Sequence, residues 1–159
     1  MKVDRLFAAL VALPLLVGSG VALADEIVGK ARIIDGDTIE VGSQKIRLFG
    51  IDAPEGKQLC KLDGKSWNCG QEATWALAYI LAEHWVTCKQ RDIDRYKRIV
   101  AVCFAGEHDI NEIMVRKGWA LAYRQYSKDY VPAEDAARMD RVGIWRGEFQ
   151  KPWEWRRTK

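Results

Sequence analysis

The chain has 159 residues, with 25 Lys and Arg against 22 Asp and Glu and a formal net charge of +3. That surplus is too small for the whole-molecule field to hold a polyanion, so any nucleic-acid contact has to come from a local patch. Four cysteines with no short C-x-x-C pair exclude the usual zinc patterns, and the length suits one compact domain.

Lys2 and Arg5 precede an uncharged stretch from Leu6 to Ala24 that ends on Ala22, Leu23 and Ala24. This is the pattern of a secretory signal. The apolar part is shorter than the roughly 20 residues of a spanning helix, and Pro14, Gly18 and Gly20 interrupt it. The reading is therefore a signal over residues 1–24 and a mature domain over 25–159. An uncleaved anchor is the alternative, since the whole stretch is long enough to tempt a membrane reading. An exported chain meets an oxidising compartment, where Cys60, Cys69, Cys88 and Cys103 pair. Of the three possible pairings, Cys60 with Cys69 closes a short polar loop and Cys88 with Cys103 cross-links two neighbouring strands.

From Ile27 to Ile51 the β-branched runs Ile33–Ile34, Thr38–Val41 and Ile46–Ile51 alternate with bends at Gly36, Gly42 and Ser43, which reads as three strands. Ala73, Ala76, Leu77, Ile80 and Leu81 recur at the spacing of one helix face. Trp85–Lys89 and Ile99–Phe104 read as a hairpin around a charged excursion, Gln90–Arg98. Asp109 with Glu112 forms a capping box that opens a short helix closed by Gly118. A last helix runs from Pro132 to Val142, with Gly143 as its stop. Five strands and three helices suit a mainly β fold with α, a partly open Greek-key barrel of the oligonucleotide-binding type. Trp153 and Trp155, beside Arg156 and Arg157, read first as aromatic packing onto the barrel.

The chemistry concentrates in three places. Asp35, Gly36, Asp37 and Thr38 form one turn, and Gly50, Ile51, Asp52, Ala53, Pro54 and Glu55 follow the third strand. Two adjacent turns could bring Asp37 and Asp52 together as oxygen ligands of a hard divalent cation, although acids in turns also simply bend the backbone. Arg47 falls between Ile46 and Leu48, and Arg98 opens the strand that continues as Ile99 and Val100. Guanidinium forks at such places fit bidentate phosphate recognition, or a salt bridge to a nearby acid.

The run Arg-Leu-Phe-Gly-Ile-Asp-Ala-Pro-Glu from Arg47 to Glu55 resembles the signature of the thermonuclease family, whose best-known member is staphylococcal nuclease. The Asp-Gly-Asp-Thr turn, the stretch Asp94–Arg98 and the helix leading from Asn111 to Gly118 are similar too, so the likeness runs from about Ile27 to Trp145. It implies a five-stranded oligonucleotide-binding barrel and one calcium ion. It also implies hydrolysis of DNA and RNA, with little sequence preference, to products with 3′-phosphate ends. By position it makes Asp37, Asp52 and the Ala53 carbonyl the metal ligands, with Asp35 behind them. Glu55 positions or deprotonates water, Arg47 and Arg98 grip the phosphate, and Tyr96 lines the nucleotide pocket. Tyr123 or Tyr126 stacks on a base, Tyr123 being the first choice, although core packing of either is an equal reading.

Three departures stand out. Ala53 replaces a threonine, Lys97 replaces a glycine and makes the hairpin tip stiffer and more basic, and the loop from Gly56 to Cys69 differs most. The expected protein is exported, periplasmic or secreted, off the membrane after signal cleavage, and monomeric by default. A barrel that binds nucleic acid without cutting it is the alternative, and a cysteine–histidine hydrolase using His84 or His108 is a remote third.

Overall fold

The computed structural model describes residues 26–158; the signal expected over residues 1–24 lies outside them. Its elements, in chain order, begin with strands β1 (Glu26–Ile33), β2 (Thr38–Val41), β3 (Gln44–Leu48) and β4 (Ile51–Asp52). A small hairpin, β5 (Cys60–Leu62) and β6 (Lys65–Trp67), leads into helix α1 (Cys69–Leu81). Strands β7 (Trp85–Ile93), β8 (Ile99–Ala105) and β9 (His108–Asp109) precede helix α2 (Ile110–Arg116). Strand β10 (Leu121–Ala122), helix α3 (Val131–Met139) and the single turn α4 (Pro152–Trp155) complete the order.

Five strands close a barrel. Strands β3, β2, β1, β7 and β8 pair antiparallel in that order, and a parallel pairing of β3 with β8 seals the ring, with Ile46 opposite Ile99 and Arg47 opposite Val100. Alternation along each strand turns Ile39, Val41, Ile46, Leu48, Val86, Cys88, Ala101 and Cys103 inward. Helix α1 covers this core with Ala73, Leu77 and Leu81, and α2 with Ile110, Met114 and Val115. Each large side chain so buried contributes about 2 kcal/mol. The oligonucleotide-binding barrel inferred above is the fold observed.

Several boundaries differ from the sequence expectation. The apolar run Ile46–Ile51 is two strands, because Gly50 adopts φ 72° and turns the chain so that β4 pairs with β10 instead of the barrel. The first part of the charged excursion Gln90–Arg98 is strand: β7 continues to Ile93, with a register shift between Gln90 and Asp92. Gln90 is half-buried and Arg91, Asp92 and Ile93 are exposed, so charge does not oppose pairing. The last long helix stops at Met139, not Val142, and Gly143 opens a short 3₁₀ turn. Helix α4 is a fourth helix where three were expected; it begins at Pro152, whose ring suits a first turn.

Both expected disulfides are present. Cys88 and Cys103 are direct cross-strand partners on β7 and β8, with Cα atoms 4.0 Å apart, and Cys60 joins Cys69 over a Cα separation of 5.6 Å. No cysteine among the described residues is free, and His84 and His108 are both exposed, which removes the cysteine–histidine reading. No helix among the described residues is long and apolar enough to cross a membrane.

Candidate active site

The barrel register brings the acids and the first arginine together. Thr38 on β2 is the cross-strand partner of Arg47 on β3, so Asp37, one residue before Thr38, lies beside the Arg47 side chain. The turn that holds Asp37 is set by Asp35, whose Oδ1 accepts the Asp37 N–H at 3.1 Å. Asp52 enters from β4. Arg47 then bridges the two acids, with Nη1 2.8 Å from Asp37 Oδ1 and Nη2 2.5 Å from Asp52 Oδ1. The Ala53 N–H donates to the other Asp37 oxygen at 2.7 Å, and the Thr38 hydroxyl donates to Oδ1 at 3.1 Å.

This is an electronegative pocket in a low dielectric. Burial pushes the Asp37 carboxyl up to about 8; the Arg47 charge opposes the rise, and the nearby acids Asp35 and Asp52 add to it. The Arg47 guanidinium loses hydration, but Asp37 and Asp52 more than offset that and hold its pKa above the ordinary value.

Glu55 sits on the loop after β4. Helix α1 begins directly against that loop: a side chain at Gly70 would collide with the Glu55 carbonyl, so glycine there allows the contact. Gln58, wholly buried, accepts the Glu55 N–H at 3.2 Å and donates to the Gln150 carbonyl at 2.6 Å. The Glu55 carboxylate is 2.6 Å from Arg156 Nη1, and Arg156 also forks onto Asp52 at 3.0 and 2.9 Å.

Above these groups lies a cleft of about 840 Å³, lined among others by Asp35, Arg47, Glu55, Arg98, Tyr96, Tyr123, Tyr126, Trp153 and Arg156. Arg98 reaches it from the first residue before β8, across the barrel seam from β3. Its Nε is 2.7 Å from Asp94 Oδ2, while its two terminal nitrogens have no hydrogen-bond partner among the described residues. Tyr96 lies under the same guanidinium, 5.5 Å from its ring centre. Tyr123 is stacked face to face on Trp153, with centroids 5.2 Å apart and planes at 3°, and Tyr126 meets its edge. Both tyrosines line the cleft, so neither is a core residue.

A family model described as staphylococcal nuclease homologue matches residues 45–147. The chain belongs to the staphylococcal nuclease family. Membership makes it a nuclease. Relatives of this member include a micrococcal nuclease of Shigella flexneri, 35% identical over 97% of this chain and 92% of that protein. An uncharacterized endonuclease of Escherichia coli is 35% identical over 92% of this chain and 96% of its own length. A succinoglycan biosynthesis protein of Rhizobium meliloti is 36% identical over 84% of this chain and 72% of its own. The family match starts at Lys45, so the Asp35–Thr38 turn lies before it; the barrel register is what ties that turn to the matched region.

Nucleases of this family are metal-dependent. The donor set here fits a hard cation: two buried carboxylates from separate elements converge on the Arg47 guanidinium. No three acids among the described residues form a cage on their own, so an ion would need further oxygen ligands.

Sequence reasoning missed Arg156, Gln58 and Asp94. Arg156 and Gln58 act across about a hundred residues of chain, and no local pattern marks them. Asp94 was quoted only within a motif, yet it builds the hairpin tip: its Oδ1 accepts the N–H groups of Tyr96 at 2.8 Å and Arg98 at 2.9 Å. Lys97, in place of the family's glycine, adopts φ 61° at that tip, a conformation that costs about 1 kcal/mol for a residue with a Cβ.

Burial pushes the Asp94 carboxyl up, but its hydrogen bonds with Arg98 and Tyr96 outweigh this and hold it below the ordinary value of 3.8. A lowered folded-state pKa means that the tip is fully supported above 3.8 and loses support as pH falls through the lowered value. The amide proton shifts of Tyr96 and Arg98 are therefore expected to titrate together below 3.8 and to stay flat in Asp94→Asn. A common midpoint at or above 3.8 would contradict this support.

Proposed function

We propose that the chain is an exported calcium-dependent nuclease that hydrolyses DNA and RNA with little sequence preference and leaves 3′-phosphate ends. The observation that carries this reading is the bridge formed by Arg47 between two buried carboxylates, beneath a cleft that Arg98 also lines. Asp37, Asp52 and the Ala53 carbonyl would hold the ion. When bound, calcium supplies a Lewis acid that draws charge from the phosphate oxygens.

The remaining chemistry belongs to the chain. Water attacks a phosphodiester poorly, because the nucleophile is weak and the ester is anionic. Glu55, partly exposed at the cleft, orients that water or takes its proton. Arg47 is held by two acids and presents a fixed charge, and the open fork of Arg98 donates to the phosphoryl oxygens as their charge grows. Tyr96 and Tyr123 form the walls against which sugar and base rest. The two disulfides and the signal-like start support export, and a monomer is the simplest assembly for a cleft completed within one chain.

The test is digestion of single-stranded DNA and of RNA by the purified mature chain, with calcium and then with excess chelator. Cleavage of both polymers is expected with calcium, with label recovered on 3′-phosphate ends, and none with chelator. Digestion that survives chelation would remove the metal from this reading. Tight binding with no cleavage in either condition would instead identify a barrel that only binds.

A further inference from the structure

Asp52 is wholly buried and does not line the cleft, although the reading above makes it a cation ligand. Guanidinium groups cover both of its oxygens: Oδ1 faces Arg47 and Arg156, and Oδ2 faces Arg156. A cation approaching from the cleft therefore meets an arginine first.

The two arginines are not equally able to yield. Arg47 projects from a strand paired on both sides, is 17% exposed and also holds Asp37. Arg156 follows the single turn α4, is 36% exposed and reaches Asp52 and Glu55 only through the end of its side chain. Rotation of that side chain frees Glu55 and Asp52 Oδ2 without moving the barrel, while Arg47 stays on Asp52 Oδ1.

Its resting position is nevertheless built. Gln58 ties the Glu55 loop to the Gln150 carbonyl, Pro152 is buried, and Trp153 is stacked on Tyr123, so the terminal segment is docked beside the acids. Burial works against a charge on Arg156, but its hydrogen bonds to Asp52 and Glu55 raise its pKa, and it stays cationic at any working pH.

We propose that Arg156 is a tethered cation that neutralises Asp52 and Glu55 in the metal-free protein and is exchanged for the divalent ion when the site is loaded. This rests on the reading of the site as a divalent-cation site. The exchange keeps two acids neutralised in either state, and it frees a guanidinium at the rim of the cleft. It also sets the ion's affinity below what the carboxylates alone would give, because the ion has to displace a bonded partner.

Calorimetric titration of calcium chloride into the full mature chain, without substrate, tests the exchange. Arg156→Ala is expected to bind calcium about tenfold more tightly than the unaltered chain, the scale of one charge-assisted pair. Arg157→Ala removes the same charge from a cleft-lining neighbour that pairs with neither acid, and is expected to change affinity less than about twofold. Arg156→Gln, which keeps hydrogen bonding without charge, replaces the alanine variant if circular dichroism shows that the latter fails to fold.

Affinity in Arg156→Ala or Arg156→Gln no tighter than in Arg157→Ala would overturn the exchange. Absence of calcium binding in every variant would overturn it as well. Tighter binding in variants that do not cleave, with an unaltered chain that does not cleave either, would sustain the exchange and sink the nuclease reading.

Discussion

Replacing Arg98 by alanine is expected to lower the rate of phosphodiester cleavage by about 10³-fold or more while leaving the fold intact. The expectation follows from how the side chain is used. Its Nε is spent on Asp94, and the terminal fork, which lies over the Tyr96 ring, has no hydrogen-bond partner among the described residues, so little of the fold depends on it. An arginine whose donors meet charge only as the transition state forms contributes to rate and hardly to stability. Arg47 would be a poorer test. Its removal strands the buried Asp37 carboxylate and leaves Asp52 to Arg156 alone, a loss of about 3 to 5 kcal/mol, and activity would fall with the fold. The measurement is kcat on single-stranded DNA beside the urea midpoint of unfolding. A variant that loses its midpoint along with its activity would place Arg98 in the architecture, and one that keeps its activity would remove it from the chemistry.

Asn111→Ala is expected to destabilise the protein by about 3 kcal/mol. Asn111 is wholly buried at the second position of α2. Its amide donates to the Phe49 carbonyl at 2.9 Å and the Ala101 carbonyl at 3.2 Å, and its oxygen accepts the Cys103 N–H at 3.2 Å. Truncation leaves the Phe49 carbonyl and the Cys103 N–H buried without that partner; the Ala101 carbonyl keeps the Phe49 N–H at 2.8 Å. The cost is that of desolvation with no compensating bond. These groups lie where β3 meets β8, so the side chain fastens the seam that closes the barrel. Urea unfolding of the two proteins measures the difference. A loss under about 1 kcal/mol would show that water or a shift of α2 satisfies the same groups.

The legible parts of this protein were those written in local patterns. A β-branched run marked Thr38–Val41, the three- and four-residue spacing of Ala73, Ala76, Leu77, Ile80 and Leu81 marked α1, and Asp109 with Glu112 announced the start of α2. The cysteines paired as their spacing and their strands proposed. Motif likeness named Asp37, Arg47, Asp52, Glu55 and Arg98, and the β2–β3 register sets Asp37 beside Arg47, which also meets Asp52. The extension of β7 through Asp92 and Ile93 was hidden because a strand facing solvent carries the same polar residues as a loop.

By itself, the amino-acid sequence determined the barrel class, the helix that caps it and the disulfides, and it supplied a short list of candidate site residues, because each of these is marked by a residue pattern or motif along the chain. Only the tertiary structure decided which charges neutralise which. Arg156 meets Asp52 across 104 positions and Gln58 meets Gln150 across 92, because folding lays the chain's end over the loop after β4. An ion pair depends on separation in space and on the dielectric around it, and neither quantity is a property of position along the chain.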